Sequence, residues 1–393
     1  MNQNIDFIPF ARPSLGPEEE EAVVQVIRSG WLTTGGVTKS FEEEFARFCG
    51  SKFALAVNSA TAGLHLALEA LGVGPGDQVI TTPYTFTSTA MVVKHLGADP
   101  LFVDIETESF NISVERIEET LERGSPTNRI RGILPVHVAG HPCRMDQLVS
   151  LAKERRLFIL EDAAHAFPSR TPWGFVGTLG DLGVYSFYAT KTITTGEGGM
   201  VVTHDEGFAK RISLMRLHGI DREIWNRYTS PTASWQYSVV EPGFKYNLTD
   251  LASAIGRVQL KKADQFLEKR KAIARMYTEH FQDRAYLKVP PETEGHAWHL
   301  YLLRIAPHKL RITRDEFIEK LREKGIGTSV HFIPLHLHPY WKRTYGFKPE
   351  DFPESLKKFQ EVISLPIYPA LTEIQIQRII QAVLQIGDAH FKL

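Results

Sequence analysis

The sequence predicts an α/β protein: a large, mostly parallel sheet covered by helices, followed by a smaller C-terminal α+β unit. Three observations carry this. From residue 53 onward, short apolar runs alternate with helical stretches, the pattern of parallel strands joined by helical crossovers. With 393 residues the chain is long enough for a large core and a second unit. A long charged helix, expected at about 255–284, leads into a shorter mixture of strands and helices. The expected division is 1–254 for the larger unit with its N-terminal arm, and 255–393 for the bridging helix and smaller unit.

The elements follow in order. Pro17 and the four glutamates after it start a helix at the end where the dipole favours acidic side chains, and Gly30 is placed to end it. The stretch from Trp31 to Gly36 reads as a loop. A helix at 38–49 leads to a strand at 53–57 and then to the small and hydroxyl residues Asn58-Ser-Ala-Thr-Ala-Gly, a strand-to-helix turn. Strands are expected at 78–82, 101–105, 130–138 and 157–160, with helices at 88–96, 113–123 and 145–156. Apolar runs at 183–188 and from Met200 come next, followed by a helix around 209–217. The polar, aromatic-rich loop at about 219–242 has a length that usually marks function or mobility. Thr249 or Asp250 caps the helix after it. Toward the C-terminus, 298–305 and 329–333 read as strands. Thr313 to Glu316 forms a capping box for a helix ending at Gly325, and Thr372 to Gln375 caps the last helix.

Composition narrows the function classes. The formal net charge is −1 and the basic residues are scattered, so nothing points to nucleic acid or an anionic membrane. Cys49 and Cys143 are the two cysteines and show no CxxC spacing, which fits a reducing compartment. No apolar run reaches spanning length and the N-terminus has no apolar h-region, so a soluble cytoplasmic protein is expected. His331, His336 and His338 invite a metal reading. A strand running into Pro334 does not converge three rings, and no metal site is expected; His336 and His338 read as surface or interface residues.

The chemistry concentrates between Leu157 and Met200. An apolar strand ends in Glu161 and Asp162, a small-residue turn brings His165, and a second strand carries Ser186 and delivers Lys191 just past its end. Alone, Asp162 reads as a strand-end cap and Lys191 as a solvated loop lysine. Together and in this order they match what pyridoxal 5'-phosphate (PLP) requires: a lysine to bond the cofactor aldehyde and a carboxylate to keep the pyridine nitrogen protonated. The turn at Ser59–Ala62 then changes meaning. As a bare pattern it is capping by Ser59 or Thr61; beside the lysine and aspartate, its free N–H groups suit the cofactor phosphate.

The motifs ILEDAAHAFPS, GDLGVYSFYATK and TTGEGGMVVT resemble the cofactor motifs of the DegT/StrS family of PLP-dependent sugar aminotransferases, of fold type I. The resemblance extends through GWLTTG, NSATAGLHLAL, PYTFTSTA, GFKYNLTDLASAIGRVQL and HFIPLH, nearly the whole chain. In look the chain is most similar to enzymes aminating nucleotide-linked 4-keto sugars, such as the one making UDP-4-amino-4-deoxy-L-arabinose. The resemblance implies catalytic roles for Lys191 and Asp162, with Thr61, Ala62 and Ser186 on the phosphate. It implies Phe86 against the ring face and His165 near the phenolic oxygen. It also implies a homodimer, with Lys245 or Asn247 reaching the neighbour's phosphate where the family has an Asn two positions before an Arg. Tyr84 and His331 are implied to line the substrate pocket; Trp31 is either a pocket residue or a packing anchor. Ala60 stands where the family usually has glycine, a change that still allows backbone contacts.

The expected reaction is transfer of an amino group, with L-glutamate as donor, to a UDP- or dTDP-linked 4-keto or 3-keto sugar for cell-surface polysaccharide or lipopolysaccharide. Two other readings compete. One is amination of a cyclitol ketone. The other is a non-catalytic relative that binds PLP or a ligand for regulation, against which Lys191, Asp162 and Ser186 all stand intact. A sugar dehydrase is disfavoured, because that branch has histidine in place of Lys191.

Overall fold

The computed structural model describes residues 7–124, 129–221 and 237–392. Of the long loop expected at 219–242, residues 222–236 lie outside the described residues. Helices α1 (Pro17–Ser29) and α2 (Gly36–Cys49) each end at a glycine with φ 75°, Gly30 and Gly50, where a side chain would be strained. There follow β1 (Phe53–Val57), α3 (Ala60–Ala70), β2 (Asp77–Thr81), α4 (Thr87–His95), β3 (Asp99–Phe102), α5 (Val114–Arg123), β4 (Arg129–Ile133), α6 (Met145–Arg155) and β5 (Phe158–Asp162). A short hairpin of β6 (Arg170–Thr171) and β7 (Gly174–Phe175) precedes β8 (Leu182–Ser186), β9 (Gly199–Thr203) and α7 (Glu206–Met215).

The large sheet has the strand order β1-β9-β8-β5-β4-β2-β3. Strand β9 runs antiparallel to both neighbours, and every other pairing is parallel. The carboxyl ends of β1, β8, β5, β4, β2 and β3 therefore share one edge of the sheet, where ligands collect in open α/β folds. Strands β8 and β9 are buried at every position, as strands covered on both faces must be.

A single helix, α8 (Asp250–Phe281), crosses to the C-terminal part, beginning five residues before the expected start. Thr249 is its cap, its hydroxyl accepting from the Ala252 N–H at 3.3 Å. Asp250 does different work: its carboxylate accepts from the Gly35 and Thr38 N–H groups at 2.8 and 2.9 Å, fixing the start of α2. The C-terminal part contains β10 (Leu287–Lys288), β11 (Tyr301–Ile305), α9 (Arg314–Glu323), α10 (Pro339–Tyr345), α11 (Pro353–Glu361), β12 (Val362–Leu365) and α12 (Glu373–His390). The capping boxes at Thr313–Glu316 and Thr372–Gln375 form as the sequence indicates. Ile8 in the N-terminal arm is fully buried in this C-terminal core, tied by backbone bonds to Gly325 and Gly327. Burying that side chain contributes about 1.5–3 kcal/mol.

Three strand expectations are corrected. Segment 329–333 is not a strand: only Ser329 bridges, to Ser364, and β12 pairs with β11 instead. The His331 carbonyl is taken by the Tyr84 hydroxyl at 2.9 Å, which removes it from any ladder. The strand expected at 130–138 stops at Ile133, because residues 138–140 coil into a 3-10 turn. The strand expected from 298 starts at Tyr301, since Trp298 sits at φ 49°. No helix among the described residues is long and apolar enough to cross a membrane.

Candidate active site

Asp162 closes β5 and Ser186 closes β8, its parallel neighbour, so both lie on the carboxyl edge. Strand alternation sends the adjacent carboxylates to opposite faces. Glu161 is fully buried and structural: it accepts from the N–H groups of Gly177, Leu179 and Gly180 at 2.8, 2.7 and 2.7 Å, and from His137 Nε2 at 3.0 Å. Asp162, 4% exposed, keeps acceptor capacity in reserve. Its Oδ2 accepts from the Thr89 hydroxyl at 2.8 Å and its Oδ1 from the Ala164 N–H at 3.2 Å. Burial pushes its carboxyl up, and the Thr89 and Ala164 bonds and the Lys191 charge oppose that.

Lys191 is half-buried in the turn after β8, its N–H bonded to the Tyr188 carbonyl at 2.9 Å. Burial pushes its amine down to about 8, against the attraction of Asp162. Burial, with the same positive charge adding to it, holds His165 well below its usual range and His331 down to about 4. Lys191, Asp162, His165 and His331 thus form one electrostatic group. His165 Nδ1 accepts from the Ala139 N–H at 3.3 Å, so the neutral ring carries its proton on Nε2. Its ring stacks on Phe332 at 5.7 Å and lies 4.4 Å from His299.

The start of α3 supplies an anion site. Ser59 is the cap, its hydroxyl accepting from the Ala62 N–H at 3.1 Å. Ala62, expected with Thr61 at the phosphate, thus lies in the capped first turn of α3. The N–H groups of Ala60 and Thr61 are the first two of the helix and have no intrahelical acceptor, at the end where the dipole favours anions. Gly199 opens β9 opposite Ser186 and lets it pass under this turn: a Cβ there would lie 2.8 Å from the Ala60 nitrogen.

Phe86 caps α4 and is 60% exposed, its ring 6.5 Å from Phe332. Tyr84 has no exposed surface, and its hydroxyl donates to the His331 carbonyl, tying the β2–α4 loop to the His331 segment. His331 is partly buried, with Nδ1 bonded to Ser364 Oγ at 2.9 Å and the ring stacked on Phe10. His336 is fully buried, bonding the Pro349 carbonyl, which corrects its expected surface placement.

Lys245 and Asn247 hydrogen-bond each other within this chain. They lie beside the end of β1, where Asn247 bridges Val57 and Asn58 bonds the Lys245 carbonyl. Asn247 also donates to Thr34 Oγ1 at 2.6 Å, and the Trp31 indole donates to the Thr34 carbonyl at 3.1 Å. The Trp31 loop is thereby joined to the Lys245 segment. Thr89, Phe332 and His299 were missed from sequence. Thr89 and Phe332 both stood in quoted motifs, but one is a hydroxyl among several and the other an aromatic beside His331; His299 arrives from the C-terminal part with no local signal to link it.

Comparison with known proteins agrees with this geometry. The chain is 48% identical over 382 residues to the uncharacterised protein MJ1066 of Methanocaldococcus jannaschii, covering 97% of each. It is 44% identical over 383 residues to the spore coat polysaccharide biosynthesis protein SpsC of Bacillus subtilis, again 97% of each. Among solved structures it matches Spr1654 of Streptococcus pneumoniae, a proposed sugar aminotransferase. The PMP form gives a TM-score of 0.90 at 30% identity, over 97% of this chain and 99% of that one; the PLP form gives 0.89. With residues 13–384 matching its profile, the chain belongs to the DegT/DnrJ/EryC1/StrS aminotransferase family.

Proposed function

We propose that this PLP-dependent aminotransferase moves an amino group from L-glutamate to the keto group of a UDP- or dTDP-linked sugar. Its product would feed a cell-surface polysaccharide or lipopolysaccharide. The observation that carries the catalytic part is that Lys191 and Asp162 lie at one sheet edge close enough to act on each other electrostatically, beside the N–H groups of Ala60 and Thr61 at the start of α3. The sugar assignment is supported by the names of SpsC and Spr1654. The residues fit PLP: a buried carboxylate with free acceptor capacity, a lysine amine pushed to about 8, and a helix N-terminus for phosphate.

When bound, PLP supplies an electron sink for the carbon that loses its proton. Asp162 holds a proton at the pyridine nitrogen, a partnership its burial strengthens. The Lys191 amine, neutral in appreciable part near pH 8, would take the proton from the donor's α-carbon and, in the second half-reaction, deliver one to the sugar carbon that gains the nitrogen. Thr61 and Ala62, with Ser186, would receive the phosphate, the N–H of Ala60 lying beside them. Phe86 would cover one face of the ring, and His165 would donate from Nε2 to the phenolic oxygen. Lys245 or Asn247 is assigned to a partner's phosphate in a homodimer, acting in the cytoplasm.

The test incubates the holoenzyme with glutamate and a panel of UDP- and dTDP-linked 4-keto and 3-keto sugars, with Lys191→Ala as control. Formation of 2-oxoglutarate together with the matching amino sugar, absent in the variant, is expected. Turnover of a cyclitol ketone alone would overturn the substrate assignment, and transfer by Lys191→Ala would overturn the catalytic one.

A further inference from the structure

We propose that Thr89, with Thr85 behind it, is a positioning residue that holds Asp162 ionised and aimed, so the start of α4 and the loop before it set the protonation of the cofactor's ring nitrogen. The inference rests on the PLP reading above.

Thr89 is fully buried and Thr85 nearly so. The Thr89 hydroxyl lies 2.8 Å from Asp162 Oδ2 and 2.8 Å from Thr85 Oγ1. An ionised carboxylate only accepts, so the single Thr89 proton is committed to Asp162. The contact with Thr85 must then be donated by Thr85, and the chain is polarised in one direction: Thr85 to Thr89 to Asp162. Each donor strengthens the next in a buried setting. A threonine in the first turn of a helix commonly bonds its own backbone; this one spends its proton on a carboxylate from another strand.

Asp162 needs the help. Burial alone drives its carboxyl toward the neutral form, and the Thr89 bond is the strongest influence against this. Its neighbour Glu161 cannot substitute, since both its oxygens are filled by backbone N–H groups and His137. The same loop carries Phe86 three residues earlier, so one segment serves both the ring face and the ring charge.

The experiment reconstitutes wild type, Thr89→Val, Thr89→Ser and Thr85→Val with PLP labelled with 15N in the ring. The ring 15N shift, the PLP dissociation constant and the far-UV spectrum are measured for each. Wild type should give the shift of a protonated pyridine. Thr89→Val should move it toward the unprotonated value and raise the dissociation constant on the order of tenfold, the usual effect of losing a donor to a charged group. Thr89→Ser should restore both, and Thr85→Val should fall between. Wild-type shifts in Thr89→Val and Thr85→Val would overturn the proposal; should Thr89→Val not fold, a wild-type shift in Thr85→Val alone does so. Failure of wild type to take up PLP would instead overturn the cofactor reading.

Discussion

Replacing Glu161 by glutamine removes one acceptor oxygen from a carboxylate that serves four donors. Oε1 accepts from the Leu179 and Gly180 N–H groups, and Oε2 from the Gly177 N–H and His137 Nε2. Either orientation of the new amide points its NH2 at two donors. His137 cannot relieve the conflict by changing tautomer, because its Nδ1 accepts from the Cys143 N–H at 3.0 Å. Two buried donors are left unpaired, at about 1–3 kcal/mol each, or roughly 4 kcal/mol together. An unfolding entropy of roughly 2.1 cal/mol/K per residue turns that into a fall of about 5 °C in Tm for a chain of this length. Matched thermal scans of apoenzyme would measure it. Glu161→Gln within about 1 °C of wild type would refute the assignment of the carboxylate as the hub of the 177–180 turn.

Further predictions concern the site itself. Burial lowers the Lys191 amine from 10.5 in the open chain to about 8. The folded state therefore binds this proton less tightly, and the site's contribution to stability rises with pH between about 8 and 10.5. Capture of added PLP by apoenzyme, followed by stopped-flow absorbance, should accelerate tenfold per pH unit below 8 and level off above it; a rate still climbing at pH 10 would contradict the shift. Gly199→Ala would place a Cβ 2.8 Å from both the Ala60 nitrogen and the Tyr185 carbonyl oxygen, backbone atoms that cannot rotate away. The expected cost is about 1–3 kcal/mol of stability, with PLP affinity falling while affinity for phosphate-free pyridoxal holds; equal loss for both would place the damage elsewhere. Asp162→Asn should retain the fold and lose amino transfer, checked by circular dichroism beside turnover.

The fold class was legible because its signals are local. Alternating apolar runs marked the strands of the sheet, Pro17 and Gly30 bounded α1, and two capping boxes located α9 and α12. The order of strand, Asp162, His165, strand and Lys191 was equally local. The failures came where distant partners decide. Segment 329–333 is apolar enough for a strand, yet Tyr84, 247 residues away, takes its carbonyl. Asp250 looked like a cap for its own helix and instead holds α2. His336 resembled a surface residue until Phe352 and Pro349 closed over it. Nothing in sequence chose between Ser59 and Thr61 as the cap of α3; the structure gives the role to Ser59. The hydroxyl chain behind Asp162 was hidden for the same reason: Thr89 gains its meaning only when β5 is placed beside α4.

The central claim is that Lys191 is the lysine bonded to PLP at the carboxyl edge of the sheet. Borohydride reduction of the holoenzyme, proteolysis and mass spectrometry test it most directly. A phosphopyridoxyl group is expected on the peptide carrying Lys191 and on no other lysine. The modification on Lys245 or elsewhere, with Lys191 unlabelled, would contradict it.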